Sequence, residues 1–523
     1  MGEPSGRSGH FNFARDVIDF WSAQRADAPA LWWCNEAGNQ QRFSFRELSD
    51  LSRRAACGFA NAGVQKGDRV LVILPRIPQW WSVMLGLIRL GAVPIPGTPL
   101  LTSRDIAYRI AAADVHAIVT DADGARKIEN FTGVRVIVAE GKQPGWIDFD
   151  AAVHDADPTF DPPETLADDD GIIYFTSGTT GHPKMVLHTQ ASYGLGHRAT
   201  GEYWLDLKPA DLHWNLSDTG WAKAAWSSFF APWQMGACVF ALDARGKFDA
   251  AAVLDALARY PITTWCAPPT ALRMMVREDL SKWKFPHLRH CVSAGEPLNP
   301  EVIETWQRAT GLLIYEGYGQ TESIVLVANV RSSGREVRIG SMGHPTPGYD
   351  VQVLDHDLSI LPPGREGELA LRVKPHRPLG LFKEYWKNPE ENAARFRGDF
   401  YLTGDVARRD ADGYFWFVGR ADDVIKSAGY RIGPFEVESA LVEHPAVLEA
   451  AVVGVPDQTR GQIVKAYVVL CKNVTPTDAL VTELQDHCKR ITAPYKYPRE
   501  IEFLPELPKT ISGKIRRVQL RKP

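Results

Sequence analysis

The run Gly171-Ile-Ile-Tyr-Phe-Thr-Ser-Gly-Thr-Thr-Gly-His-Pro-Lys184 joins a short β-rich apolar segment to nine residues that are mostly small or hydroxylated. Small residues let a backbone approach a ligand closely, and hydroxyls and N–H groups donate to phosphate oxygens. Lys184 adds a positive charge. Thr176, Ser177, Gly178, Thr179, Thr180, Gly181, His182, Pro183 and Lys184 therefore form a candidate phosphate cradle. It is not a Walker A loop: counted from Gly178, that pattern needs Gly where Pro183 stands and Ser or Thr where Met185 stands. Standing alone, the run would read as a glycine-rich turn.

Outward from this strand, similar apolar runs recur: RVLVIL from Arg69, HAIVTD from His116, VRVIVAE from Val134, ACVFAL from Ala237, ITTWCAP from Ile262 and LRHCVSAG from Leu288. Helix-length segments such as PQWWSVMLGLIRLG from Pro78 separate them, which predicts an α/β class with largely parallel sheets covered on both faces. The acidic, proline-bearing segment from His154 to Asp170 predicts a surface connection. From about Gly364 shorter strands and turns suggest a β-rich subdomain, and from about Asp422 a final unit shows βαβ-like texture. The expected domains are 1–421, large, and 422–523, small.

The chain has 523 residues, 59 Lys plus Arg and 63 Asp plus Glu, a formal charge of −4, and so no broad basic field for nucleic acid. Seven cysteines without a CxxC spacing argue against a zinc module or disulfide scaffold and fit a reducing, cytoplasmic compartment. The N-terminal residues show no apolar signal core, and Gly6 breaks the myristoylation pattern. Ala224 to Leu242 is uncharged and long enough to span a bilayer, but Ser227, Ser228, Pro232, Gln234 and Gly236 interrupt it. A buried helix–turn–strand is expected there, with no integral membrane segment.

Further motifs follow in order: SAGEPL (293–298), EGYGQTE (316–322), YLTGD (401–405), GRADDVIKSAGYRIGPFEVE (419–438) and PKTISGKIRR (508–517). Together with the loop they resemble the adenylate-forming superfamily, most closely the medium-chain acyl-CoA synthetases, over nearly the whole chain. The resemblance implies an α/β fold, a large N-terminal domain with a β-rich subdomain, and a small mobile C-terminal α+β domain. It implies ATP as substrate, contacted by the loop, by Gly295 and Glu296 at adenine, by Glu316, Gly317, Tyr318, Gly319, Gln320 and Thr321 around adenine, ribose and α-phosphate, and by Asp405 and Arg420 at the ribose. Glu322 would hold Mg²⁺, for which one carboxylate suffices because that ion keeps several waters. Lys514 would stabilise charge as the acid attacks the α-phosphate, so the implied catalytic residues are Lys514, Glu322 and Lys184.

The implied reaction makes an acyl-adenylate and pyrophosphate, then a coenzyme A thioester and AMP, with the small domain turning about Asp422 between steps. Gly429, Tyr430, Arg460, Tyr495, Lys496 and Tyr497 match coenzyme A positions, and Arg431 matches an arginine near the reacting phosphate or acyl group. Trp221, Lys223 and Trp226 match one wall of the acyl pocket, to which Gly319 and Thr321 also belong. Acetate-specific relatives carry Trp where Gly319 stands, so a larger acid is expected: a medium-chain fatty acid first, then benzoate or another branched or aryl acid. An adenylation enzyme serving a carrier protein is the competing reading. No nucleic-acid partner is expected, and a homo-oligomer remains open.

Overall fold

The computed structural model describes residues 6 and 9–521 apart from 129, 140–142, 158, 177–182, 429 and 511–513. Ser177, Gly178, Thr179, Thr180, Gly181, His182 and Gly429 thus lie outside the described residues, Ser177 to His182 forming one run.

The apolar runs do become strands. Five parallel strands, in spatial order Val93–Gly97, Arg69–Ile73, Ala117–Thr120, Val134–Ile137 and Ile147–Asp148, form one sheet. Ala117–Thr120 is buried at every position, which is why its sequence runs continuously apolar instead of alternating. The helix Pro78–Leu90 starts with proline in its first turn and stops at Gly91 in the left-handed region. It packs on Phe45–Asn61 so closely that a Cβ on Gly86 would stand 2.5 Å from that of Ala55.

A nine-stranded sheet carries the remaining motifs. Its parallel centre runs Pro29–Asn35, Cys238–Asp243, Leu212–Asn215, Thr264–Ala267, His290–Ala294, Ile314–Gly319. Antiparallel strands close both edges. Ala267, Ala294 and Gly319 consequently end neighbouring strands on one side, where open α/β sheets take their ligands. Ala224 to Leu242 folds as expected: helical turns continue to Gln234 and the strand Cys238–Asp243 follows.

Three expectations shift. The strand from Gly171 lies in an antiparallel pair, Asp170–Thr176 with Lys184–Thr189, in a separate three-stranded sheet, with Thr176 opposite Lys184. The strand Ile314–Gly319 reaches through the EGYG of that motif, where a bend at the strand end could have been expected. The connection from His154 to Asp170 is more than solvated loop, because Thr165 is buried and its Oγ1 donates to the Phe11 carbonyl at 2.7 Å.

The β-rich antiparallel sheet begins at Val351, earlier than the change of texture at Gly364, and ends with Phe415–Arg420. The next strand, Ile425–Ser427, already pairs within the last sheet, which adds Tyr430–Ile432, Val447–Asp457, Gly461–Leu470 and Glu500–Phe503. The helices Pro434–Val442 and Asp478–Ile491 contribute Val437, Leu441, Leu480 and Leu484 to this unit's own core.

Arg89, 2% exposed, lies within the N-terminal core and is neutralised by Asp19, Nη2 to Oδ1 at 2.6 Å and Nη1 to Oδ2 at 3.0 Å. Burial works against the Asp19 carboxylate, yet Arg89 holds its pKa below the ordinary value. Asp19→Ala strands a buried guanidinium, so we expect a loss of about 3–5 kcal/mol in unfolding free energy, read as a lower urea midpoint at pH 7.

Candidate functional site

The site is built on the strand ends. Ile314–Gly319 carries Glu316, Gly317, Tyr318 and Gly319 along its last residues. A Cβ on Gly317 would stand 2.6 Å from the Trp204 ring, and one on Gly319 would stand 2.2 Å from the Ile324 carbonyl and 2.6 Å from Trp226 Cη2. Both glycines are required by close approach, and the space beside Gly319 is filled by the Trp226 indole. The expectation that a missing side chain at 319 leaves room there is corrected: on that side Trp226 sets the wall.

Polar groups brace the rest of the motif. Tyr318 Oη donates to Asp405 Oδ2 at 2.6 Å, Gln320 Nε2 to the same oxygen at 2.7 Å, and Arg420 Nη1 to Oδ1 at 3.1 Å. The Asp405 charge raises the Arg420 pKa above its ordinary value. The Thr321 carbonyl meets both Tyr193 Oη at 2.7 Å and His188 Nε2 at 2.8 Å. Burial lowers His188 to a pKa of about 3, so it is neutral and serves as a strut. Burial also pushes Glu316 up to about 7, and its carboxyl accepts from the Leu298 amide at 3.0 Å.

Glu322 has one oxygen, Oε1, on the Tyr385 hydroxyl at 2.7 Å. A single carboxylate at the phosphate side of a cleft is the donor set a hydrated Mg²⁺ accepts. The three-residue acidic cluster found among the described residues, Asp355, His356 and Asp357, belongs to a turn elsewhere.

At the hairpin, Thr176 Oγ1 faces the Lys184 carbonyl at 3.5 Å, and the Pro183 carbonyl accepts from Tyr108 Oη at 3.4 Å. Lys184 pairs with Glu391 at 2.5 Å and lies 5.3 Å from the Tyr385 ring centroid. Burial works against the Glu391 carboxylate, but Lys184 and Arg395 keep its pKa low. Sequence reading missed Glu391 and Tyr385; the i,i+4 acid–base pair Glu391/Arg395 in the segment 389–395 was the available signal.

Gly295 follows the strand His290–Ala294 with φ of +107°, and Glu296 turns to Arg273 at 2.7 Å. The helix after this turn starts at Pro300. Trp221 caps the short helix Ala222–Ala225, and Lys223 on that helix donates to the Ala294 carbonyl. Burial lowers the Lys223 pKa, and the Lys514 charge on the C-terminal unit acts in the same direction. Polar contacts hold this arrangement: Arg277 Nη2 donates to the carbonyls of Val447 and Leu448, each at 3.1 Å, and Asn299 Nδ2 to Ser439 Oγ at 3.1 Å.

The residues matched to coenzyme A gather elsewhere. Tyr430 and Tyr495, 52% and 39% exposed, stack with centroids 4.2 Å apart. Lys496 pairs with Glu436 at 2.5 Å, and Tyr497 accepts from Arg499 at 3.0 Å. Burial raises the Glu366 pKa, and Lys496, Arg408 and Arg431 counter it, so Lys496 and Arg431 lie on the side of the β-rich sheet. Arg460 lies in the turn before Gly461–Leu470, its carbonyl accepting from Ala428. Arg431 is therefore not beside Lys514's site in this arrangement.

Residues 18–386 match the family model described as AMP-binding enzyme, and residues 436–514 match the AMP-binding enzyme C-terminal domain. The chain is 52% identical over 527 aligned residues to Acyl-coenzyme A synthetase ACSM4, mitochondrial, of Homo sapiens, covering 98% of this chain and 90% of the relative. It is 50% identical to Acyl-coenzyme A synthetase ACSM3, mitochondrial, of Mus musculus, with 98% and 90% covered. Among solved structures, the anthranilate CoA ligase AuaEII in complex with anthranoyl-AMP superposes with a TM-score of 0.89 at 30% identity, covering 98% of this chain and 97% of that one. A benzoate CoA ligase from Burkholderia xenovorans gives 0.85 at 28% identity, covering 98% and 100%. With the motifs, both family models and identity of this extent in agreement, the chain belongs to the AMP-binding enzyme family and, within it, to the acyl-coenzyme A synthetases.

Proposed function

We propose that the chain activates a medium-chain carboxylic acid with ATP and passes the acyl group to coenzyme A. The observation that supports this reading is the cluster of Tyr318, Gln320 and Arg420 around the Asp405 carboxylate at the strand ends, in a chain 52% identical to an acyl-coenzyme A synthetase. In the first step a carboxylate oxygen bonds to the α-phosphorus and pyrophosphate leaves. Lys514 supplies positive charge where negative charge develops, which is electrostatic catalysis by a positioned donor. Lys184 leaves Glu391 for the phosphates, and Glu322, held by Tyr385, is the residue that would hold Mg²⁺, an ion that neutralises phosphate charge when bound. Asp405 has lone pairs left for the ribose hydroxyls once Tyr318, Gln320 and Arg420 are satisfied.

In the second step the coenzyme A sulfur attacks the acyl carbon and AMP leaves. Tyr430, Tyr495 and Lys496 now face the β-rich sheet side, so this step requires the unit 422–523 to turn, with Asp422 as hinge. An acid panel from acetate to dodecanoate, with benzoates, tests the reading when pyrophosphate release and coenzyme A consumption are measured separately. Release without coenzyme A consumption would overturn it in favour of carrier-protein delivery. The aryl-acid ligases among the structural neighbours, and the indoles of Trp221 and Trp226, favour an aromatic acid as the second reading.

No helix among the described residues is long and apolar enough to cross a membrane. The relatives' names place those proteins in mitochondria, which does not support the cytoplasmic expectation; seven free thiols fit any reducing interior.

Lys514→Ala is expected to slow acyl-adenylate formation by about 10²–10³-fold, the loss typical of one positioned donor. Thioester formation from supplied acyl-adenylate should stay within about threefold, and equal losses in both half-reactions would refute the assignment. Trp226→Leu should widen the pocket beside Gly319. The kcat/KM ratio of branched or longer acids to butyrate is then expected to rise about tenfold or more, at the scale of one or two methylenes.

A further inference from the structure

The ion triad beside the phosphate loop has a composition that fold stability does not require. Lys184 Nζ and Arg395 Nε meet the same oxygen, Oε1 of Glu391, at 2.5 and 2.8 Å. Two cations thus share one anion, and among the described residues no second acid pairs with either. The helix Pro389–Arg395 that carries Glu391 and Arg395 buries none of its residues, so the triad staples no apolar core. Other bonds hold the helix in place: Asn388 accepts from the Glu391 amide at 3.1 Å, and Asn392 exchanges hydrogen bonds with the Tyr385 backbone at 2.7 and 2.9 Å. Tyr385 in turn pairs with Val186, on the strand that Lys184 begins.

The triad is also open to a ligand. The side chains of Lys184, Glu391 and Arg395 are 27%, 21% and 22% exposed, neither sealed in the interior nor left to bulk water. An ammonium has three donors and a guanidinium five, and Glu391 occupies one on each. The rest of the Arg395 guanidinium lies against Gly404, where a Cβ would collide with Nη1. Gly404 directly precedes Asp405, the acid matched to the ribose, while Lys184 and Glu322, the latter on the Tyr385 hydroxyl at 2.7 Å, mark the phosphate end. Arg395 therefore reaches from the lysine of the phosphate loop to the turn that carries the ribose acid.

We propose that Glu391 is a resident counter-ion that the triphosphate of ATP displaces, and that Arg395, freed together with Lys184, is a second phosphate-binding cation. This rests on the reading of the chain as an ATP-dependent acid–CoA ligase. Exchange is favourable because phosphate carries more charge than a carboxylate and suits the guanidinium fork. As pyrophosphate departs, Glu391 returns to both cations. The carboxylate thus competes with ATP on entry and with pyrophosphate on exit. Removing it tightens both ligands, whereas removing the guanidinium loosens both. A triad that only stiffened the fold would give one sign.

The test uses the full chain with the best acid from the panel at saturation. Glu391→Gln is expected to lower KM for ATP, and the inhibition constant of pyrophosphate, about threefold to fivefold, the scale of a partly exposed ion pair. Arg395→Met should raise both about tenfold, as loss of a charged hydrogen bond does, and Arg395→Lys should recover part of that loss. KM for the acid, and thioester formation from supplied acyl-adenylate, should stay within about twofold, because neither involves the β- and γ-phosphates. If KM for ATP moves the same way in both variants, fails to move in either, or falls in step with an equal loss on acyl-adenylate, the proposal is overturned. If thermal melting shows Glu391→Gln misfolded, Glu391→Ala is judged by the same criteria. Wild-type protein that releases no pyrophosphate from ATP with any acid of the panel would instead refute the functional reading itself.

Discussion

The Asp405 carboxylate is the joint on which this molecule turns. It is 4% exposed and receives donors from three directions: Tyr318 and Gln320 from the nine-stranded sheet's motif, and Arg420 from the last strand before the C-terminal unit. A buried carboxylate needs such partners, because removing it from water costs several kcal/mol that only charge and hydrogen bonds offset. The same bonds fix where the motif strand ends and where the chain leaves the large domain. Nucleotide-facing geometry and interdomain geometry are therefore set together. Disturbing one carboxylate would shift both.

Much of this was legible in the sequence, for identifiable reasons. Fully buried parallel strands such as Ala117–Thr120 write themselves as unbroken apolar runs, and Pro78 and Gly91 mark both ends of a helix. The motif residues were found by their resemblance to the adenylate-forming superfamily, and close approach gives a physical reason for two of them, Gly317 against Trp204 and Gly319 against Trp226. What stayed hidden depended on long-range pairing. Nothing local in the run from Gly171 to Lys184 says that its strand returns on itself as a hairpin instead of joining a parallel sheet. Nor could spacing reveal that Glu391 would come to Lys184 from more than 200 residues away, or that Trp226 would occupy the side of Gly319 that looked empty.

Charge in the cleft follows a consistent rule. Most acids near it are engaged by cations, Glu296 by Arg273, Glu391 by Lys184 and Arg395, Asp405 by Arg420, while Glu322 is held by the neutral Tyr385 hydroxyl. Pairing of this kind lowers the repulsion that anionic substrates meet. The substrates' charge discharges in stages: adenylation consumes the acid's charge, and departing pyrophosphate removes most of the phosphate charge. Attraction that assembled the substrates would thus weaken as the product forms.

The anchorages around Asp422 show how a turn between the units is possible without unfolding either one. Arg420 is tied to Asp405, and the Ala421 amide donates to the Gly404 carbonyl at 3.0 Å, so the chain up to 421 belongs to the large domain. Immediately beyond, Arg521 donates to the Asp422 carbonyl at 3.0 Å and pairs with Asp423, binding those residues to the small unit's own tail. The two sets of bonds meet between 421 and 422, and the Asp423 and Val424 amides cross that junction to the Arg420 carbonyl at 2.9 and 3.1 Å, so rotation there would exchange those two bonds. The contacts between the units include those of Arg277 with Val447, Leu448 and Cys471 and of Asn299 with Ser439, each worth about 0.5–1.5 kcal/mol, and the close approach of Gly433 and Pro434 to Val418 and Gly419. The C-terminal unit keeps its own apolar core around Ile432, Val437 and Val464, so those contacts are what a turn would exchange.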